Sequence, residues 1–135
     1  MNSQILVVDD EPMMLPFIAT VLRKSGYGVW QATSPKEALN MVGNGLPPMD
    51  LLLADVFMPK MTGPQLSERM TEFYPHMKSV FMTGLNEDYL RAIGIEVPGE
   101  AVLKKPFNAN ELLSMVLITM DMPIGMGHAH AAASD

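Results

Sequence analysis

The chain has 135 residues, a formal net charge of −6, 48% hydrophobic and 18% charged residues, and no cysteine. That length is one domain's worth with apolar content enough for a core, which excludes global disorder. The acidic balance argues against general binding to nucleic acid or anionic membranes, and the lack of cysteine excludes disulfides, thiolate metal sites and a cysteine nucleophile. No apolar run approaches the roughly 20 residues of a membrane span, and the N-terminus lacks the basic start of a signal peptide, so a cytoplasmic location is expected.

In chain order, apolar runs alternate with helical patterns. "ILVV", Ile5 to Val8, reads as a first strand and runs straight into Asp9, Asp10 and Glu11. Met13 to Ser25 follows as a helix, with Phe17, Ile18, Val21 and Leu22 at helical spacing and Gly26 as its stop. Pro12 suits a first helical turn, whereas Pro16 should kink or shift that turn. "VWQA", Val29 to Ala32, is the second strand, and Ser34-Pro35-Lys36-Glu37 has the form of a capping box opening a second helix. "DLLLAD" is a third strand, apolar until its last residue, Asp55. Thr62 to Tyr74 reads as a helix with Leu66, Met70 and Phe73 on one face; "SVFMT" is a fourth strand; Glu87 to Ile93 is a short helix. "AVLKK" is a fifth strand, and Asn108 with Glu111 opens a last helix from Ala109 to about Thr119. Residues 1–120 are thus expected to form the domain, and 121–135 a disordered tail rich in Met, Gly, Ala and His.

Five βα units with short apolar strands predict an α/β fold, a doubly wound parallel sheet with helices on both faces; with strand order 2-1-3-4-5, strands one and three are neighbours. In such sheets function gathers beyond the carboxyl ends of the strands, where strand order reverses. Asp9 and Asp10 follow the first strand, Asp55 the third, Thr83 and Gly84 the fourth, and Lys105 and Pro106 the fifth. Three carboxylates converging on one rim repel one another unless a cation sits among them, and clustered carboxylate oxygens suit a hard divalent ion such as Mg²⁺. A hydroxyl, a backbone N–H and an ammonium beside them suit phosphoryl oxygens. The constellation predicts a carboxylate that accepts a phosphoryl group, with metal and lysine offsetting the charge. Singly, each residue has a plainer role: Asp10 as a helix cap, Asp55 as a turn residue, Thr83-Gly84 as a loop entry, Lys105 as a solvated strand end like Lys104. Four matched strand ends in the right order point instead to one site.

At this point the chain resembles the receiver domains of two-component response regulators, through "ILVVDDEP", "LLLADVFMPKMTG", "VFMTG" and "LKKPF". The resemblance covers about residues 4 to 119 and implies the flavodoxin-like (βα)5 fold and the residue roles. Asp55 matches the phosphoacceptor, Thr83 the switch hydroxyl, Gly84 a backbone contact to the phosphoryl group, and Lys105 the family's lysine. Asp9 and Asp10 match the acid pair that, with Asp55 and the backbone carbonyl of Phe57, would hold Mg²⁺ or Mn²⁺, Asp10 directly and Asp9 largely through water. The implied donor is a phosphohistidine on a histidine kinase or histidine phosphotransfer protein, with no nucleic-acid or membrane partner. Such a domain is a phosphoacceptor that assists its own phosphorylation and dephosphorylation rather than a conventional enzyme.

There are two departures from the family pattern. Val102 stands where the family usually has Tyr or Phe, three residues before the lysine, so switching by an aromatic rotamer is not expected. No DNA-binding domain follows the last helix, which leaves a stand-alone receiver or a piece of a larger protein such as a hybrid histidine kinase. Three alternatives share parts of the pattern. An aspartate-nucleophile phosphatase of the haloacid dehalogenase kind needs a second acid two residues after the nucleophile, where this chain has Phe57. A flavodoxin-like electron carrier needs a phosphate-binding loop after the first strand, which is missing. A module signalling by contact alone, unphosphorylated, has no use for Asp9, Asp10, Asp55, Thr83 and Lys105 together. His128 and His130 could chelate a metal, but in a Gly/Ala-rich tail the disordered reading is preferred.

Overall fold

The structure is a computed structural model that describes residues 2–97 and 102–122. Its element order is β1 (Gln4–Val8), α1 (Met14–Lys24), β2 (Gly28–Ala32), α2 (Pro35–Gly43), β3 (Leu51–Asp55), α3 (Gly63–Thr71), β4 (Lys78–Thr83), α4 (Glu87–Ala92), β5 (Val102–Lys104) and α5 (Ala109–Asp121). The five strands form one parallel sheet, as the alternation of apolar runs predicts, in the expected order β2-β1-β3-β4-β5.

Alternate residues of the central strands feed two separate cores, because side chains on a strand point to opposite faces. Ile5, Val7, Leu51, Leu53, Val80 and Met82 pack with α1 and α5 through Leu15, Ile18, Leu22, Leu112 and Val116. Leu6, Val8, Leu52, Ala54 and Phe81 pack on the other face with Ala38 of α2, Leu66 and Met70 of α3, and Leu90 of α4. This two-sided burial is why β1 and β3 read as continuous apolar runs rather than alternating ones.

The helix ends follow the local chemistry. Thr62 and Gln65 form a reciprocal capping box at α3, and Asn108 and Glu111 another at α5. At α2 the box is only half made: Ser34 Oγ accepts from Glu37 N–H, while Glu37 Oε1 turns back to Thr33 N–H. Helix α1 begins at Met14, so Pro16 falls in the first turn, where its missing N–H costs nothing. Gly26, with φ +96°, takes the left-handed conformation that lets the chain leave α1. Ile18 and Leu22 of the expected stripe are buried in α1, joined by Leu15 and Ala19, and Val21 packs partly on the core; Phe17 is exposed and lies against Phe107, ring centroids 6.3 Å apart. Phe73 likewise falls beyond the end of α3 and is exposed, since the helix stops at Thr71 before Phe73 could turn inward. The last helix runs to Asp121, and Lys78 Nζ donates to the carbonyls of Met120 and Met122 at its C-terminus. The tail beyond residue 122, with His128 and His130, and Ala101 of the expected fifth strand lie outside the described residues.

Candidate functional site

Register decides which strand ends meet. Val8 of β1 pairs with Ala54 of β3, so Asp9 and Asp55 stand level on adjacent strands. Asp55 pairs with Met82 of β4, which puts Thr83 one residue further along the same rim. Thr83 pairs with Lys104 of β5, and Lys105 N–H donates to the Thr83 carbonyl at 2.8 Å, so Lys105 turns in just above them. The reversal of strand order at β1/β3 leaves this rim open.

Lys105 Nζ donates to Asp9 Oδ2 at 3.1 Å, to Asp55 Oδ2 at 3.2 Å and to Glu11 Oε1 at 3.2 Å. Asp9 is fully buried and Asp55 nearly so, whereas the Glu11 side chain is 67% exposed. Asp9 Oδ1 also accepts from the Glu11 N–H at 2.9 Å, a turn that brings Glu11 back over the rim. One oxygen from each of Asp9, Glu11 and Asp55 lies within 4.8 Å of the others. That set of hard oxygen donors fits a divalent cation.

The electrostatics follow from this crowding. Burial raises the Asp55 carboxyl; Lys105 opposes that, but with the charges of Asp9 and Asp10 added the value rises from 3.8 to about 6. For Lys105, burial works against the charged amine, yet Asp55, Asp9 and Glu11 together outweigh it and lift the value from 10.5 to about 12. The lysine is held as a cation by carboxylates that one lysine does not fully offset.

Of the residues singled out in the sequence, Asp9, Asp55 and Lys105 are in direct contact. Thr83 is buried on the next strand, its Oγ1 accepting from Leu85 N–H at 3.0 Å, which leaves the hydroxyl proton available to another acceptor. Gly84 lies on the rim beside Lys105: a Cβ built on it would sit 3.9 Å from Lys105 Cβ. Asp10 is exposed and outside the three-carboxylate cluster, acting on Asp55 through its charge. Phe57 lies on the loop after Asp55, 57% exposed, in a cleft that Tyr89 of α4 and Ile93 just beyond that helix also line. Lys104 takes no part; its Nζ reaches the Leu85 carbonyl at 3.4 Å. Glu11 is the residue the sequence reading passed over, though it stood in the same acidic run. Gly63 is a second: a Cβ there would lie 2.4 Å from the Asp55 carbonyl oxygen and 3.2 Å from Phe81 Cδ1. Only glycine lets the start of α3 press against the backbone of Asp55.

The model of the response regulator receiver domain matches residues 5–117. The chain belongs to that family. It is similar to the response regulator receiver protein CpdR of Brucella abortus, 33% identical over 115 residues that span 84% of this chain and 93% of the relative. It is also 30% identical over 116 residues to the alkaline phosphatase synthesis transcriptional regulatory protein PhoP of Bacillus subtilis, covering 86% of this chain and 48% of that one. The chain spans about half the length of several curated relatives that it matches. Among solved structures, a response regulator receiver protein from Sinorhizobium medicae superposes with TM-score 0.74 at 26% identity, over 89% of this chain and 95% of that one. The receiver domain of the hybrid histidine kinase CckA superposes with TM-score 0.71 at 28% identity, over 88% and 100%. The fold is therefore the flavodoxin-like receiver fold, and the function is that of a two-component receiver domain. This sets aside the haloacid dehalogenase and electron-carrier readings. Receiver domains are phosphorylated by histidine kinases or phosphotransfer proteins and generally bind Mg²⁺ at an acidic pocket, and this chain has such a pocket. Among the described residues, no helix is long and apolar enough to cross a membrane.

Proposed function

We propose that Asp55 accepts a phosphoryl group from a phosphohistidine of a histidine kinase or histidine phosphotransfer protein, and that the phosphorylated domain switches binding to a downstream partner. The observation that carries this is the Lys105 ammonium set 3.1–3.2 Å from both Asp9 and Asp55 at the mouth of the sheet. An Asp55 oxygen forms the new bond to phosphorus, the bond from phosphorus to the imidazole nitrogen breaks, and the electron pair leaves with the imidazole. Thr83 Oγ1 and the Gly84 backbone N–H are assigned to the phosphoryl oxygens, and Lys105 to the charge that accumulates on them. Asp9 and Asp55 of the carboxylate cluster, with Asp10 and the Phe57 carbonyl on the family pattern, would hold Mg²⁺ or Mn²⁺, which when bound supplies positive charge for the transferring oxygens. The similarity to a sensor kinase CckA, of which the matched segment is 12%, supports a second form of the same reading, in which the domain works as the receiver of a larger phosphorelay protein. A cytoplasmic location goes with either form.

The test is labelling with acetyl phosphate and Mg²⁺, read by intact mass. One acid-stable, base-labile phosphoryl group is expected on the wild-type protein and none on Asp55→Asn. Full labelling of that variant would remove Asp55 as the acceptor.

A further inference from the structure

We infer that Glu11 is a latch on Lys105: it occupies the third hydrogen of the ammonium in the unphosphorylated protein and must release it before Lys105 can give a second hydrogen to the phosphoryl oxygens. The inference rests on the reading of Asp55 as acceptor and adds the residue that regulates access to it.

An ammonium has three hydrogens to donate and no more. In this structure all three have carboxylate acceptors, Asp9, Asp55 and Glu11, at 3.1, 3.2 and 3.2 Å. A phosphoryl group arriving on Asp55 takes over the hydrogen that Asp55 accepts, but a second ammonium hydrogen reaches its oxygens only if another carboxylate withdraws. Asp9 is fully buried and has no water to turn to, so releasing it would strand a charge. Asp55 carries the phosphoryl group, and its contact with Lys105 passes to that group. Glu11, 67% exposed, exchanges its ammonium contact for water at little cost, as exposed ion pairs do. Its backbone stays tied to the rim through the N–H bond to Asp9 Oδ1, and Lys105 is the one hydrogen-bond partner of its side chain among the described residues. The side chain can swing while its base stays anchored. Glu11 is thus a positioning residue acting through Lys105, and its charge at the mouth also opposes an anionic donor.

Relief of the latch should appear in how readily a small donor engages the site. With phosphoramidate or acetyl phosphate as the probe, at saturating Mg²⁺, Glu11→Gln should lower the half-saturating donor concentration about 3- to 10-fold. If the effect runs through Lys105, it should shrink to less than half in a Lys105→Gln background. An unchanged half-saturation in Glu11→Gln, or an equal gain in both backgrounds, overturns the latch; the latter leaves only simple repulsion of the donor. A second measurement needs no phosphorylation. In EDTA, Glu11→Gln should shift the melting temperature about 2–4 °C further downward with Lys105 present than with Lys105→Gln, since the pair's attraction exists only in the first case. Strictly additive melting shifts also overturn the proposal. Labelling of Asp55→Asn separates the two levels: if that variant is labelled, the acceptor assignment fails, while the melting cycle still judges the Glu11–Lys105 contact.

Discussion

Replacing Asp55 with asparagine is expected to stabilise the metal-free protein at neutral pH, although it destroys the proposed acceptor. Burial, together with the charges of Asp9 and Asp10, outweighs the attraction of Lys105 and moves the carboxyl from 3.8 to about 6. That difference corresponds to about 3 kcal/mol in favour of the neutral form of the folded state. Asparagine keeps the shape, removes the charge and still offers Lys105 an oxygen, so about 2–3 kcal/mol of stabilisation is expected, roughly 6–12 °C in melting temperature. The pH dependence has a fixed sign. Below 3.8 the carboxyl is protonated in folded and unfolded chains alike, and no penalty exists. As pH rises from 3.8 to about 6, the unfolded chain ionises first, the wild-type protein loses stability relative to the variant, and above about 6 the gap is constant. Urea unfolding in EDTA, from pH 4.5 to 7.5, measures it. Added Mg²⁺ should narrow the gap by binding the wild-type native state more tightly. If Asp55→Asn melts at or below the wild type in EDTA at pH 7.5, or if the gap does not change across the acid window, the reasoning about this carboxylate is wrong. A site that stores repulsion for a later ligand is a common trade of stability for function.

Three further outcomes are expected. Gly63→Ala should cost about 1–3 kcal/mol in urea unfolding and slow acetyl phosphate labelling, because its Cβ would meet the Asp55 carbonyl oxygen at 2.4 Å. Asp10→Asn should weaken Mg²⁺ binding, measured by titration calorimetry, more than Glu11→Gln does, since Glu11 serves Lys105 and Asp10 is assigned to the metal. The phosphorylated state should be long-lived, because neither the Phe57 nor the Leu85 side chain can hydrogen-bond an attacking water; Phe57→Asn with Leu85→Glu should speed its decay in Mg²⁺, followed by intact mass, and an unchanged rate would count against that role.

The acids at 9, 10 and 55, the Thr83-Gly84 pair and the Lys105-Pro106 step were legible in the sequence because each ends an apolar run, and a parallel sheet gathers such ends on one rim. The parallel, doubly covered sheet was legible for the same reason: strands apolar on both faces need helices on both sides, whereas the order 2-1-3-4-5 came with the flavodoxin-like pattern. Capping chemistry placed the starts of α2 and α5 at Ser34 and Asn108, because an N-cap acts over three residues and needs no distant partner. Tertiary structure alone decided what depends on direction and distance. Phe17 carries the right spacing for the core, but the packing of α1 against β1 and α5 selects Leu15 and Ala19 instead. Glu11 reads as one more surface acid until the turn at Asp9 swings it onto a lysine 94 residues away in sequence. Gly63 reads as a turn glycine until α3 closes on the Asp55 carbonyl. Local sequence carries propensity and pattern; which of two adjacent acids faces inward depends on contacts that exist only once the sheet has assembled.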